Sequence, residues 1–127
     1  MNAGYFGANR LQDVVVKVLS ARQCKQRDWY GNRFHKDTML CAGYTAGKMD
    51  ACQGDSGGPL QCFGGDSRWR LFGIVSFGDM CGLAKKPGIY TRIETMLGWI
   101  KSYIERAYGT LLILFCVHVF SNICARW

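Results

Sequence analysis

Histidine is scarce in this chain of 127 residues, with only His35 and His118 present. The two lie far apart, neither belongs to an H-x3-H pair, and no C-x2-C occurs, so no zinc site is expected. His35 falls in a polar loop and reads as an exposed side chain without a task. A secretory leader is missing too. Met1-Asn2-Ala3-Gly4-Tyr5-Phe6-Gly7 has no basic start and no apolar core of sufficient length, and reads as the middle of something longer. Acidic residues are few, 9 against 16 Lys and Arg, which leaves a formal net charge of +7. No nucleic-acid motif accompanies that charge, so nucleic acid is not an expected partner. The richest basic patch, Arg22, Lys25, Arg27, Arg33 and Lys36, is diluted by Asp28 and Asp37. It reads first as a solvated face and second as a site for polyanions or an acidic partner.

What the chain does hold begins with cysteine. Seven in so short a sequence point to an oxidising compartment, hence an extracellular or secreted parent protein. The length allows one domain at most, and 49% hydrophobic with 20% charged residues is ordinary for a globular one. Val14 to Leu19 is a β-branched run, expected to be a buried strand. Ser20-x-x-Gln23 reads as a capping box that opens a short helix carrying Cys24. Tyr30-Gly31-Asn32 is a turn signal. Strands are expected at Met39 to Ala42, Pro59 to Cys62, Trp69 to Phe77 and Gly88 to Ile93, with a turn at Gly64-Gly65-Asp66. From about Thr95 the pattern turns helical, with Leu97, Ile100, Ile104 and Ala107 on one face. About five short strands and a closing helix make an all-β unit with edge helices.

The chemistry concentrates in Asp50-Ala51-Cys52-Gln53-Gly54-Asp55-Ser56-Gly57-Gly58-Pro59-Leu60. A serine among glycines is a poor core, helix or strand residue. Such a run can turn the backbone N–H groups of Gly54 and Ser56 toward one point beside the Ser56 hydroxyl. Gly54-Asp55-Ser56-Gly57-Gly58 formally satisfies G-x-S-x-G, the strand-to-helix elbow. That elbow must feed a helix, which two glycines and a proline cannot start well, so this reading fails.

The whole run resembles the nucleophile loop of the trypsin/chymotrypsin family of serine proteases. The resemblance extends from about Leu11 to Tyr108, through Ser76-Phe77-Gly78, Cys81, Lys86-Pro87-Gly88-Ile89-Tyr90 and the helix around Trp99-Ile100. It implies the second, C-terminal antiparallel β-barrel of the chymotrypsin-like fold, incomplete, over residues 1–108, with a short intermediate helix and a C-terminal helix. It also implies that Ser56 is the nucleophile, with the Gly54 and Ser56 amides as oxyanion hole. Asp50 becomes the floor of the specificity pocket, walled by Ser76 to Gly78 on one side and by Gly88 at the back. Backbone at Ser76 and Gly78 would bind substrate as an added strand. Asp55 would pair with a new amino terminus, and the disulfides would be Cys24–Cys41 and Cys52–Cys81.

The implied substrate is a protein or peptide with Arg or Lys at the cleaved bond, since a desolvated carboxylate selects a cation. Ala51 offers no hydroxyl to help a shorter ammonium, so Arg is expected over Lys. Protein inhibitors are further implied partners, and no cofactor is implied. The chain departs from the family in having Met80 where Gly is frequent and Phe77 where Trp is frequent, both at the pocket rim.

The family's base and orienting carboxylate belong to a first barrel, in surroundings such as Ala-Ala-His-Cys, and nothing of the kind occurs here. Cys62's family partner would also lie in a strand before Met1. The expected reading is therefore the C-terminal half of a trypsin-like endopeptidase, inactive as an isolated chain. The alternative is a non-catalytic pseudoprotease or binding module. Beyond Tyr108 no charge occurs until Arg126, and Leu111 to Phe120 is strongly apolar. A spanning helix needs about 20 apolar residues, and His118, Ser121 and Asn122 interrupt this one. Two readings of residues 109–127 stay open: a membrane anchor through 109–125, or an unrelated extension. The pairing of Cys116 and Cys124 stays open with them.

Overall fold

The structure, a computed structural model, describes residues 12–108. In chain order these form β1 (Lys17–Leu19), α1 (Ala21–Cys24), a 3-10 turn at Gly31–Arg33, β2 (Met39–Gly43), β3 (Pro59–Phe63), β4 (Trp69–Phe77), β5 (Gly88–Arg92) and α2 (Ile93–Tyr108). The strands make one antiparallel sheet in the order β1-β2-β5-β4-β3. Its two edges, β1 and β3, do not meet among the described residues, so the sheet is open. This is the expected architecture, an incomplete antiparallel barrel with a short intermediate helix and a C-terminal helix.

Strand alternation explains why the central strands are buried on both faces. Successive residues of β2 point opposite ways. Cys41 joins a cluster with Cys24, Tyr30, Phe34 and Ile89, whereas Leu40 and Ala42 join Leu60 and Tyr90. Adjacent Ile89 and Tyr90 of β5 divide in the same way. The first cluster is covered by the segment from α1 through the 3-10 turn. The Cys24–Cys41 disulfide, with Cα atoms 6.5 Å apart, pins that segment to β2. The second cluster is filled by Val16, Ala51, Phe72 and Val75.

Local signals set several boundaries. Ser20 caps α1, its Oγ accepting from Gln23 N at 3.2 Å. Only this half of the expected capping box forms. The Gln23 side chain instead donates to Thr45 Oγ1 at 3.5 Å. The β3–β4 hairpin closes through Gly64 N donating to Arg68 O at 2.8 Å, with Arg70 paired to Asp66 and the Phe63 and Trp69 rings 5.1 Å apart. Register slips twice on β4, opposite Leu60/Gln61 on β3 and between Val75 and Phe77 against β5. Each slip twists the strand and re-aims the residues beyond it.

Two expectations need correction. Val14 to Leu19 is not a buried strand: only Lys17–Leu19 pairs, and Val14, Val15 and Val18 are exposed, Val15 by 78%. β1 is an edge strand bonded to β2 alone, so Val18 stays exposed, and of the run only Val16 and Leu19 pack partly against the two clusters. In α2, Leu97, Ile100 and Ile104 face inward as expected, but Ala107 is exposed. Trp99 and Tyr103, 5.7 Å apart, lie on the outer surface. Among the described residues no helix is long and apolar enough to cross a membrane. The apolar stretch Leu111 to Phe120 lies outside them, as do Cys116 and Cys124.

The packing makes a contrast testable by urea unfolding of the purified chain. Phe34 is 2% exposed at the centre of the first cluster. Phe34→Ala is expected to cost about 3–5 kcal/mol, read from the midpoint and slope. Trp99→Ala on the outside of α2 is expected to change stability by less than about 0.5 kcal/mol.

Candidate active site

The loop from Asp50 to Gly58 is held at both ends. Cys52 is bonded to Cys81, with Cα atoms 5.3 Å apart. At the far end Gly57 N donates to Val75 O at 3.0 Å and Val75 N donates to Gly58 O at 2.9 Å, which straps the loop to β4. Between these anchors lies a tight turn. Asp55 N donates to Cys52 O at 3.0 Å, and Cys52 N donates back to Asp55 Oδ2 at 2.7 Å. Gly54, inside that turn, has φ +96°, which an L side chain would resist. Ser56 is exposed. Among the described residues its hydroxyl has no hydrogen-bond partner, and the Gly54 and Ser56 amides donate to no acceptor.

Asp50 is half-buried at the start of this loop. Gly88 N donates to its Oδ1 at 3.1 Å, and Gly82 N donates to Oδ2 at 3.4 Å. No cation faces it among the described residues. Burial pushes its carboxyl above the ordinary carboxylate range, and backbone amides at Gly82, Ala51 and Gly88 pull partly the other way. Burial also pushes the nearby Tyr90 hydroxyl up to about 12, with the negative charges of Asp50 and Asp55 adding to it. Gly88 is buried, and a Cβ there would stand 2.7 Å from Asp50 Oδ1 and 3.0 Å from the Tyr90 ring. Gly78 differs. A Cβ there would meet Met80 O at 3.5 Å and Tyr30 Oη at 3.7 Å, ordinary contacts. The two glycines are therefore unlike: one is required by close approach, the other would accept a Cβ at ordinary contact distance.

Ser76 and Gly78 lie where β4 outruns its neighbour. β3 pairs with β4 only as far as Ile74, and Gly57 and Gly58 bracket Val75. Residues 76–78 continue past that point with their edge uncovered on the β3 side. Ser76 sits at the bulge between Val75 and Phe77.

A clamp behind these walls was missed in the sequence. Tyr30 Oη donates to Pro87 O at 2.7 Å and accepts from Asp79 N at 3.3 Å, so one buried hydroxyl joins the segments after Gly78 and before Gly88. Its ring meets Phe77 edge-on at 5.9 Å. Burial raises the Tyr30 hydroxyl above its usual range. Lys86 Nζ donates to Trp29 O and lies 3.2 Å from Asp79 Oδ2. Arg33 Nη1 reaches both Asp79 oxygens, at 2.8 and 3.0 Å. Arg33 and Lys86 together hold the Asp79 carboxyl below the ordinary range. In the sequence Tyr30-Gly31-Asn32 signalled a turn, and nothing local could reveal a partner 57 residues away.

The structure thus sets Asp50 against Gly88 at the start of β5 and straps Gly57 and Gly58, next to Ser56, to Val75, just before Ser76 and Gly78 at the end of β4. Asp55 is exposed, and its carboxylate is engaged by its own loop. His35 is elsewhere. It precedes β2, where Met39 N donates to its carbonyl at 2.8 Å, and β5 separates β2 from β4. Cys62 is half-buried on β3 opposite Arg70. No group of side chains suited to a metal ion occurs among the described residues.

Comparison with known proteins bears on this arrangement. A family model described as Trypsin matches residues 2–100. Transmembrane protease serine 11G of Rattus norvegicus is 48% identical over 94 residues, which covers 74% of this chain and 22% of that protein. The Mus musculus protein of the same name gives the same figures. Transmembrane protease serine 11A of Homo sapiens is 48% identical over 101 residues, 77% of this chain and 24% of that protein. The chain spans about a quarter of the length of these curated relatives.

The half-buried carboxylate gives a pH-dependent prediction. Because folding raises the Asp50 pKa, the folded state binds the proton more tightly than the unfolded chain does. Stability is therefore lost as pH rises from the ordinary carboxylate value through the raised one, and stays lost above it. Asp50→Asn removes that loss. Urea unfolding from about pH 3 to pH 8 should show the variant equal to the parent at the acid end and increasingly more stable above it. The glycines give a second test. Gly88→Ala should displace the Asp50 carboxylate and lower stability by about 1–3 kcal/mol, whereas Gly78→Ala should stay within about 0.5 kcal/mol.

Proposed function

This chain belongs to the trypsin family of serine proteases, and from that premise we propose that it is the C-terminal part of a trypsin-like endopeptidase domain that cuts after Arg or Lys. The observation that carries the specificity is Asp50: a half-buried carboxylate with two backbone donors and no cation of its own among the described residues, in a chain of net charge +7. A guanidinium arriving there gains a charge-assisted, two-pronged contact and relieves the desolvation. An ammonium, shorter and without a hydroxyl from Ala51, gains less.

In this reading Ser56 attacks the carbonyl that follows the basic residue, and the Gly54 and Ser56 amides receive the developing oxyanion. Substrate backbone pairs with the open edge at Ser76 and Gly78. The complementary barrel supplies the base and its carboxylate. Asp55, now bonded to Cys52 N, is released to pair with a new amino terminus. Residues 1–108 are the domain portion and 109–127 an apolar tail beyond it. The two disulfides and the relatives' names support an extracellular, membrane-linked setting for the parent protein.

By itself the chain is inactive. Losing the base alone costs about a million-fold in kcat where the same chemistry has been dissected on another fold. A second reading, a non-catalytic module that binds basic peptide segments through Asp50, is favoured by the position of His35 beyond β5 from the Ser56 loop.

Purified chain treated with an organophosphate is expected to show no stoichiometric label on Ser56 and no hydrolysis of Arg esters. Labelling would overturn the claim of inactivity. When the chain is expressed joined to the barrel that precedes it in its parent, matched peptides should be cut at Arg faster than at Lys. Equal turnover would refute the preference, and cleavage indifferent to basic residues would refute the pocket. A joined protein that binds Arg peptides without cutting them would decide for the module.

A further inference from the structure

Arg33 spends only part of its guanidinium. The side chain is 59% exposed and meets Asp79 through a single nitrogen, Nη1, which reaches both carboxylate oxygens. Nη2 and Nε have no acceptor among the described residues. The carboxylate is shared besides, because Lys86 Nζ stands 3.2 Å from Oδ2. Two cations on one anion leave a net positive corner. Asp28, an acid on the same supporting segment, is already engaged by Lys85 at 2.7 Å.

The position of this guanidinium is fixed without consuming its donors. Its carbon lies 5.8 Å from the Tyr30 ring centroid and 5.5 Å from that of Phe77, within cation–π range. Phe77 stands between Ser76 and Gly78, on the uncovered edge of β4. A peptide paired along that edge advances about 3.3 Å per residue. A peptide on that edge with a basic side chain over Asp50 would carry the residues two or three positions before it past Phe77, whose ring Arg33 faces at 5.5 Å.

We propose that Arg33 is a specificity-determining residue whose open guanidinium edge takes the carboxylate of an Asp or Glu two or three residues before the basic residue held by Asp50. The inference rests on the pocket reading above and narrows it to substrates that carry an acid upstream of the cleaved bond. A planar fork with two unused donor nitrogens suits a carboxylate better than any neutral side chain. A substrate lysine at the same place meets like charge.

The test is a calorimetric or NMR titration of the purified chain with acetylated tetrapeptide amides. These are Glu-Ala-Ala-Arg, Ala-Glu-Ala-Arg, Ala-Ala-Ala-Arg, Lys-Ala-Ala-Arg and Glu-Ala-Ala-Ala. One of the Glu-containing Arg peptides should bind about three- to tenfold tighter than its Ala counterpart and the Lys peptide more weakly, with the gap closing as salt rises. In Arg33→Gln the Glu-to-Ala affinity ratio should fall to about one. In Asp79→Asn, which removes the competing carboxylate, the ratio should grow. Arg68→Gln, on the β3–β4 hairpin and 68% exposed, should leave the ratio as it was, which separates a local effect from overall charge. Equal binding of the Glu, Ala and Lys peptides that end in Arg overturns the inference while leaving the pocket intact. A Glu preference that survives Arg33→Gln overturns it too. If Arg itself confers no binding, so that Glu-Ala-Ala-Ala matches Glu-Ala-Ala-Arg, the pocket reading falls and takes this one with it.

Discussion

A carboxylate held half out of water with no counter-cation among the described residues is the constraint around which this structure is arranged. Desolvation raises the free energy of charged Asp50, and the amides of Gly82 and Gly88 offset only part of it. Those amides must be aimed: Gly82 lies in the irregular segment before β5, and Gly88 opens β5 itself. The Cys52–Cys81 disulfide fixes one end of that segment, and the Tyr30 hydroxyl fixes the other through Pro87 O. Gly88 can approach so closely only because it has no Cβ. Each device is intelligible as a way of holding a costly charge at a chosen point. In the proposed function, the stability given up at this point is what leaves a site for a cation.

The intermediate segment from α1 to the 3-10 turn accordingly has a second task beyond covering the sheet. Its buried residues, Cys24, Tyr30 and Phe34, fill one face of β2 and β5. The same Tyr30 that fills that face reaches past it to join the segments after Gly78 and before Gly88, and Arg33 and Lys86 neutralise Asp79 between them. A net hydrogen bond of about 1 kcal/mol is small beside the burial of an aromatic ring. The ring therefore supplies most of the stability and the hydroxyl most of the geometry. Packing and positioning are carried by different atoms of one side chain.

Much of this was legible in the sequence because it is local. The Gly-bracketed serine run, the turn at Gly64 to Asp66, and the strands at Met39, Pro59, Trp69 and Gly88 were each announced by residues within a few positions. The misses share a physical cause. Periodicity shows that Val14 to Leu19 is apolar and β-branched, but not whether anything covers it, and β1 turned out to be an edge. The Ser20 box predicted a reciprocal bond, yet Gln23 found Thr45 from another loop. Tyr30 and Lys86 act across 57 residues, where no local pattern reaches. A short-range contact went unforeseen as well: the Asp55 carboxylate accepts from Cys52 N and closes its own turn.

That last contact bears on what the loop can do unaided. Cys52 N spends its hydrogen on Asp55, so the turn is satisfied before any outside group arrives, while the Gly54 and Ser56 amides remain available. In the proposed reading, recognition and chemistry are thereby separable. The charge at Asp50, the open edge at residues 76–78 and the Arg33 corner need only the described fold to exist. Proton transfer from Ser56 needs a base, and His35 lies across β5 from that loop. A ground-state site can therefore persist where transition-state stabilisation cannot, because binding a cation and activating a hydroxyl draw on different residues. The physical division falls between the slot and the base, and it coincides with the boundary between what this chain contains and what the proposed complementary barrel would bring.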